Sequence, residues 1–247
     1  MLAEIAALRR RYPSLASLKF NDDVLPLKPD WFAAFSERYR REVALPFTCN
    51  LHPTLVTASS VAQLRAAGCT RVQLGVESGS ERIRRTVLGR AISNPDLQRA
   101  IQLLQAAGLR VQTFNIVGFP GETIDEMWDT VQLNAGLRPD LAQCTIFYPY
   151  PGTALHAECH DLLRHDAATL TSYECDTPLV ADFRRRTVIR FIRHYFKLLI
   201  APRGRVLSAV ARRCSRSSVG ALCLWPAVLL YALRRQLRRH RNHATAS

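Results

Sequence analysis

Phe114-Asn115-Ile116-Val117-Gly118-Phe119-Pro120-Gly121-Glu122-Thr123 is an apolar run that breaks at Gly-Phe-Pro-Gly and resumes as Ile124-Asp125-Glu126. The pattern predicts a strand, a tight turn and a helix whose start is set by a capping box from Thr123 to Glu126. A strand that turns straight into a helix is the unit of parallel α/β folds, and ligands of such folds gather at the carboxyl ends of the strands. The loop is thus the first candidate for chemistry, although Gly118 to Glu122 taken alone reads as a plain turn.

Working outward, the same unit recurs. A helix from Val61 to Ala67 ends in Ala-Ala-Gly68 and leads to a strand from Arg71 to Val76; a helix from Pro95 to Ala107 ends in Ala-Ala-Gly108 and leads to a strand from Leu109 to Val117. The glycines fit the position just past a helix end, and Asn94 with Pro95 reads as N-cap and first helical residue. A third helix, Thr123 to Ala135 with Gly136 after it, leads to a strand from Leu141 to Phe147. Upstream, residues 1–12 read as a helix halted by Pro13, residues 15–20 as a short strand, Pro29 onward as a helix with Trp31, Phe32, Phe35 and Tyr39 on its apolar face, and 46–51 as a strand. Five strands separated by helices, with no hairpin signal, predict a parallel sheet of right-handed crossovers. Part of a TIM-like barrel is favoured over a doubly wound sheet because every strand end presents polar residues: Asp22 and Asp23, Asn50 and His52, Glu77 and Ser78, Asn115, then Tyr148.

The chain of 247 residues is 48% hydrophobic, enough for one core plus an extension. Its net charge of +14 is unevenly spread. Residues 1–182 hold 18 Lys/Arg and 20 Asp/Glu (18 − 20 = −2), whereas residues 183–247 hold 16 Lys/Arg and no acid. The basicity therefore belongs to the tail, and a nucleic-acid-binding core is disfavoured. Domains are expected at 1–178, the barrel part, and 179–247, a basic helical extension. In that extension Val188, Phe191, Ile192, Tyr195, Phe196 and Leu199 form an apolar stripe. Arg216 and Arg234 bracket seventeen uncharged residues, a length of about 25 Å as a helix, slightly short of a bilayer core. Three readings stay open: a helix lying in a membrane interface, a helix packed on the barrel or a partner, and a true span.

Seven cysteines at 49, 69, 144, 159, 175, 214 and 223 contain no Cys-x-x-Cys, so no metal site is expected and the thiols read as buried small hydrophobes. The start Met1-Leu2-Ala3-Glu4-Ile5 shows no signal-peptide pattern, which makes a cytoplasmic location the default, with peripheral contact at the inner face of the membrane through the tail. His52 and His156 have no partner at ligand spacing. There is no Gly-x-Gly-x-x-Gly, P-loop or nucleophile elbow, which argues against the corresponding nucleotide and serine-hydrolase chemistries. At Gly75-Val-Glu-Ser-Gly-Ser-Glu81, Glu77 and Ser78 could hydrogen-bond a ribose or an amino acid, while Ser78 or Ser80 could equally cap a helix. Asp22-Asp23 reads as an N-cap, a metal pair or a partner for an ammonium group.

Taken together, Gly75-Val-Glu-Ser-Gly-Ser-Glu81, Asn115-Ile-Val-Gly-Phe-Pro-Gly-Glu-Thr123 and Thr145-Ile-Phe-Tyr-Pro-Tyr-Pro-Gly-Thr153, preceded by Phe20-Asn-Asp-Asp23, resemble the radical SAM enzymes, particularly the branch with an amino-terminal cobalamin-binding domain. The resemblance runs from about residue 1 to 180. It implies a partial (βα)6 barrel with S-adenosylmethionine across the strand ends. Asp22 or Asp23 would contact the methionine amino group, and Glu77 and Ser78 the methionine and ribose. Asn115, Ile116 and Val117 would line the adenine or ribose side, and Tyr148-Pro149 would close over the adenine.

The same family reduces S-adenosylmethionine with a 4Fe-4S cluster held by CxxxCxxC, and that motif is absent from these 247 residues. The expectation is that the chain is the carboxyl-terminal part of such an enzyme. The cluster ligands, and any cobalamin domain, would then lie in a missing amino-terminal half or a separate polypeptide. In complete form it would perform radical chemistry or cobalamin-dependent methyl transfer on an unknown small-molecule or lipid-like substrate. The alternative is a non-catalytic homologue that acts as a binding or membrane-docked module.

Overall fold

The computed structural model describes residues 1–22, 25, 29–165, 167 and 176–231. In chain order the helices and strands are α1 (Leu2–Arg11), β1 (Leu18–Lys19), α2 (Pro29–Glu42), β2 (Phe47–Leu51), α3 (Ala58–Ala66), β3 (Cys69–Glu77), α4 (Glu81–Thr86), α5 (Asn94–Ala106) and β4 (Arg110–Val117). They continue as α6 (Ile124–Leu137), β5 (Leu141–Ile146), α7 (Ala154–Glu158), α8 (Phe183–Ile200), α9 (Arg205–Cys214) and α10 (Ser218–Leu222), with a further helical stretch over 225–231. The strands form one sheet in the order β1-β2-β3-β4-β5. β1 pairs with β2 and β2 with β3 in parallel. Sequential order with helices in the crossovers is that of a partial parallel barrel, as expected; a doubly wound sheet would reverse its order at a switch point.

By its internal contacts the chain divides into two compact units, one of residues 1–76, 92–114 and 139–142, the other of 77–91, 115–138 and 143–247. In the first, the core forms where β1, β2 and α2 meet. Phe20 packs edge-on against Phe35, Tyr39 and Phe47 with ring centroids 5.2 to 5.9 Å apart, geometry that the aromatic quadrupole favours. Phe32, Phe35 and Tyr39 are buried as the helical spacing predicts, whereas Trp31 stays 45% exposed and stacks on Phe35. Cys49 and Cys69 lie buried with sulfurs 4.0 Å apart.

Helix limits follow capping chemistry more closely than hydrophobic spacing. α3 starts three residues before Val61 because Thr57 and Ser60 cap each other reciprocally. α5 is capped by Ser93, whose hydroxyl accepts from the Asp96 amide at 3.2 Å, and not by Asn94, which is already helical. α6 runs through Gly136 to Leu137 and stops at Arg138 in the left-handed region, immediately before Pro139, which cannot continue a helix.

The second unit runs without a break through residue 178. Val188, Phe191, Ile192, Phe196 and Leu199 are buried, and α8 packs against α6. Trp128 Nε1 donates to Ser215 Oγ at 2.8 Å, and Arg212 pairs with Asp125 and Asp129 of α6 at 3.1 and 3.3 Å. The apolar stripe of the extension thus completes the core over α6, so residues 183–216 belong to the same compact body as the loops after β3 and β4. Among the described residues no helix is long and apolar enough to cross a membrane.

Gly79 shows how closely these parts meet. A Cβ at this position would lie 2.3 Å from the Asp129 carbonyl carbon and oxygen and 2.4 Å from the Thr130 nitrogen, all backbone atoms of α6 that cannot step aside. Gly79→Ala is therefore expected to cost about 3 kcal/mol or more of folding stability. The check is urea denaturation followed by circular dichroism, in which an unchanged midpoint would contradict this packing.

Candidate functional site

The loops that follow β3 and β4 are bound into one assembly by two carboxylates. Glu126, the capping-box residue of α6, accepts from the Thr123 amide at 2.8 Å. It also accepts from Ser80 Oγ at 2.8 Å and from two nitrogens of Arg82 at 2.8 and 2.7 Å. Arg82 in turn donates to the Gly121 carbonyl at 2.9 Å. The carboxylate that starts a helix therefore also ties the Ser78–Arg82 loop to the Gly118–Thr123 loop. Although burial disfavours its charge, Arg82 and these donors outweigh that cost and hold Glu126 down at about 2.

Glu122 lies deeper, 1% exposed. Its Oε2 accepts from the amides of Gly118 and Phe119 at 2.6 and 3.1 Å, and Ser78 Oγ lies 3.5 Å from Oε1. Arg185, in the first turn of α8, donates to the Glu122 carbonyl and, at 2.9 Å, to the Phe119 carbonyl. Burial pushes the Glu122 carboxyl up to about 7, against the pull of the two amides and of Arg185. Gly118, at φ +88°, occupies a conformation that L side chains rarely adopt. Its missing side chain also leaves room for Ile189 of α8, whose Cδ1 would be 3.1 Å from a Cβ.

Glu77 ends β3 with φ +65°. For a residue with a Cβ this left-handed conformation costs about 1 kcal/mol or more, and such strain collects at functional sites. Arg90 holds the carboxylate at 2.9 Å, and the buried guanidinium of Arg84 donates to the Ser78 carbonyl. Burial raises the Glu77 carboxyl and Arg90 opposes the shift. Ser78 is fully buried, and its hydroxyl accepts from the Ser80 amide at 3.2 Å. Ser80 caps α4 through its own hydroxyl. The helix-start reading of this segment is thus realised by Ser80, which leaves the Glu77-Ser78 backbone at the strand end.

On β4, Asn115 is 1% exposed; its Nδ2 donates to the Gln143 carbonyl at 3.0 Å and its Oδ1 accepts from Asn134 Nδ2 at 2.7 Å. Ile116 is half-buried against a cluster containing Ile83, Phe119 and Phe147. Val117 is buried, and its carbonyl accepts from the Phe147 amide at 2.9 Å, joining the ends of β4 and β5. Tyr148 follows half-buried with its ring 5.3 Å from that of Tyr150, and Pro149 is buried.

In the first unit, Asp22 is exposed and its carbonyl accepts from Asn50 Nδ2 at 2.9 Å; Asp23 lies outside the described residues. His52 Nδ1 lies 2.7 Å from Thr54 Oγ1, within a short turn that it caps. The hydrogen bond with the Cys69 thiol and burial push Cys49 well above the ordinary thiol range, and burial does the same to Cys144. Such thiols are inert at neutral pH. Among the described residues no group of three His, Cys, Asp or Glu could hold a metal ion, and Cys175 lies outside them. A cavity of about 330 Å³ opens elsewhere, lined by Gln132, Leu199, Arg205, Ser208 and Arg212, and no sequence-predicted site residue lines it.

Glu122, Arg82, Arg84, Thr130 and Arg185 were not singled out from sequence. Glu122 stands within the decisive motif, where an acid directly after Gly-Phe-Pro-Gly was readable as a helix-start charge. Arg185 had no local signal, since its partners lie more than sixty residues away.

A parallel sheet in sequential strand order, with helices in the crossovers, makes this part of the chain a partial TIM-like barrel. Residues 22–133 match the profile of the Radical SAM superfamily. An uncharacterized methyltransferase of Pyrococcus horikoshii is 29% identical over 156 residues, covering 63% of this chain and 34% of that protein. The chain thus spans about a third of that relative's length. Among solved structures, the radical S-adenosylmethionine methyltransferase TsrM of Kitasatospora setae, with cobalamin and a 4Fe-4S cluster bound, superposes with a TM-score of 0.57 at 18% identity, over 70% of this chain and 33% of that one. Coproporphyrinogen III oxidase of Escherichia coli gives 0.59 at 15% identity, over 80% and 44%.

The titration of Glu122 is directly measurable. A carboxyl held at about 7 in the fold against an ordinary 4.5 stabilises the folded state below pH 4.5, and that contribution is lost as pH rises to about 7. Glu122→Gln removes the titration. Its stability relative to wild type should therefore rise between pH 4.5 and 7, by up to about 3 kcal/mol. Urea denaturation across this range tests it, and parallel pH profiles for the two proteins would rule it out.

Proposed function

We propose that this chain supplies the S-adenosylmethionine-binding face of a radical SAM enzyme that acts by radical chemistry or cobalamin-dependent methyl transfer. The observation that carries the proposal is the strained end of β3, Glu77-Ser78, locked to the Gly118–Thr123 loop through Ser80, Arg82 and Glu126. Two strand ends fixed in this way present a carboxylate, backbone amides and carbonyls to a zwitterionic nucleoside without reorganisation on binding. Glu77 would receive the methionine ammonium or a ribose hydroxyl. Ser78 would act through its backbone, because its hydroxyl is engaged by the Ser80 amide and by Glu122. Ile116 and Val117 would form an apolar wall, Asn115 would hold that strand in register, and Tyr148 with Pro149 would cover the adenine.

A 4Fe-4S cluster would supply the electron that cleaves S-adenosylmethionine, and the residues present do not fit it: the chain has no CxxxCxxC, and the described cysteines 49, 69 and 144 are buried. No step is therefore assigned to the cluster here, and the chain alone is proposed to be inactive. The matched methyltransferase and the cobalamin-bound neighbour support methyl transfer as the outcome. The six described cysteines are free thiols, which suits a reducing compartment.

Two measurements test the reading. Titration calorimetry of the full chain with S-adenosylmethionine should show binding that Tyr148→Ala weakens about fivefold to tenfold, the worth of one aromatic face. No heat, or an unchanged affinity in the variant, counts against the site. Anaerobic reconstitution with iron and sulfide should yield no stoichiometric four-iron cluster, and its appearance would overturn the assignment of the ligands to another polypeptide or segment.

A further inference from the structure

After α8 the chain exposes apolar side chains in a density found nowhere else among the described residues. Val206, Leu207 and Val210 on α9, Val219 and Leu222 on α10, and Leu229 and Leu230 beyond are all exposed, and Val206 and Val219 are the most exposed at 76%. These seven fall within 25 residues, whereas the described residues of 1–200 contribute nine exposed large hydrophobics. On α9, Val206 and Val210 are one turn apart and Leu207 adjoins them, on one side of the helix.

The stretch from Ser217 to Tyr231 is apolar on two sides. Ala221, Leu224 and Val228 are buried. Trp225 packs on Phe183 at 5.3 Å, Tyr231 stacks on His194 at 3.9 Å, and the Ala227 carbonyl accepts from Tyr195 at 2.9 Å. Those contacts satisfy the inner side. The outer side carries Val219, Leu222, Cys223, Pro226, Leu229 and Leu230 at helical spacing, where a water-facing helix would carry charge. A helix apolar all round needs a second apolar medium.

Charge identifies that medium. Arg203, Arg205, Arg213 and Arg216 are exposed around these helices, and no acid occurs anywhere in residues 183–247. A second copy of the chain would bring like charges together. Single-stranded nucleic acid needs exposed aromatic platforms, and the nearby rings of Trp225 and Tyr231 are engaged with Phe183 and His194. Residues 232–247 add five more arginines and few apolar side chains, so they offer poor cover for the face. Apolar residues that can sink a few ångströms, with cations at their margins, match the headgroup boundary of an anionic phospholipid membrane.

We propose that α9, α10 and the helical stretch over 225–231 dock this protein in the plane of an anionic membrane surface, with Val206, Val210, Val219, Leu222, Leu229 and Leu230 as the inserting side chains. α8 is excluded from the contact, because its stripe is already buried against α6. The docking helices and the loops after β3 and β4 belong to one compact unit.

Sedimentation of the full chain with unilamellar vesicles tests this. Binding is expected to phosphatidylcholine vesicles that contain phosphatidylglycerol and not to phosphatidylcholine alone. Val206→Asn with Val210→Asn, and separately Val219→Asn with Leu222→Asn, should each lower partition about tenfold or more at unchanged net charge. Each of Arg203→Gln and Arg213→Gln should lower it about fivefold. These positions are exposed, so far-ultraviolet circular dichroism should match wild type. Absence of sedimentation, or binding that the asparagine variants leave intact, overturns the proposal. So does a concentration-dependent dimer in light scattering that the same variants dissolve, since the face would then serve a second copy.

Discussion

The second unit depends on how a buried carboxylate, Glu122, is satisfied. An ionised group removed from water costs several kcal/mol unless hydrogen bonds replace its hydration. Here the replacements are the amides of Gly118 and Phe119, with the Ser78 hydroxyl close by. Each partner requires a particular backbone path. The amides converge only because Gly118 turns at positive φ, and Ser78 reaches the site only because Glu77 accepts a left-handed conformation. The cost of the buried acid is thus offset by fixing two strand ends at once, which a ligand site at those ends requires.

The same economy explains why the basic extension is part of the body and not an appendage. The carbonyls of Phe119 and Glu122 point away from the amides that hold the carboxylate, and Arg185 accepts the task of satisfying them. Burial lowers the affinity of that guanidinium for its proton and Glu122 opposes the shift, so the two groups favour each other's charged forms. Ile189, one turn further along α8, occupies the space that Gly118 leaves. A side chain at 118 would therefore disturb both the turn and the seat of α8. Composition divides the chain at about residue 180 because charge changes there. The core does not, because packing is blind to the charges on the solvent side of α8.

The fold was largely legible in the sequence. All five strands appear where apolar runs placed them, and the box from Thr123 to Glu126 formed as its spacing required. Local chemistry specifies such features: a helix start needs one acceptor at the right offset, and a strand needs a run of residues that fit a buried sheet. What stayed hidden was everything that joins distant segments. Glu126 was readable as a cap, but its bonds to Ser80 and Arg82 cross more than forty residues. Ser80 and Ser78 were interchangeable as caps on paper, and only the αL turn at Glu77 decides between them.

Where a helix is apolar on its inward side, sequence periodicity reports burial well; where it is apolar on both sides, periodicity is silent. Residues 217–231 are of the second kind, which is why their reading stayed divided between a packed helix, an interfacial one and a span. The inner contacts with Phe183, His194 and Tyr195 account for one side only. The stretch is broken by a turn before Trp225, and among the described residues it is part of no helix long and apolar enough to cross a membrane. An element that is packed on one face, apolar on the other and bordered by arginines satisfies all of its groups at an interface between water and lipid, with the unit's own core behind it.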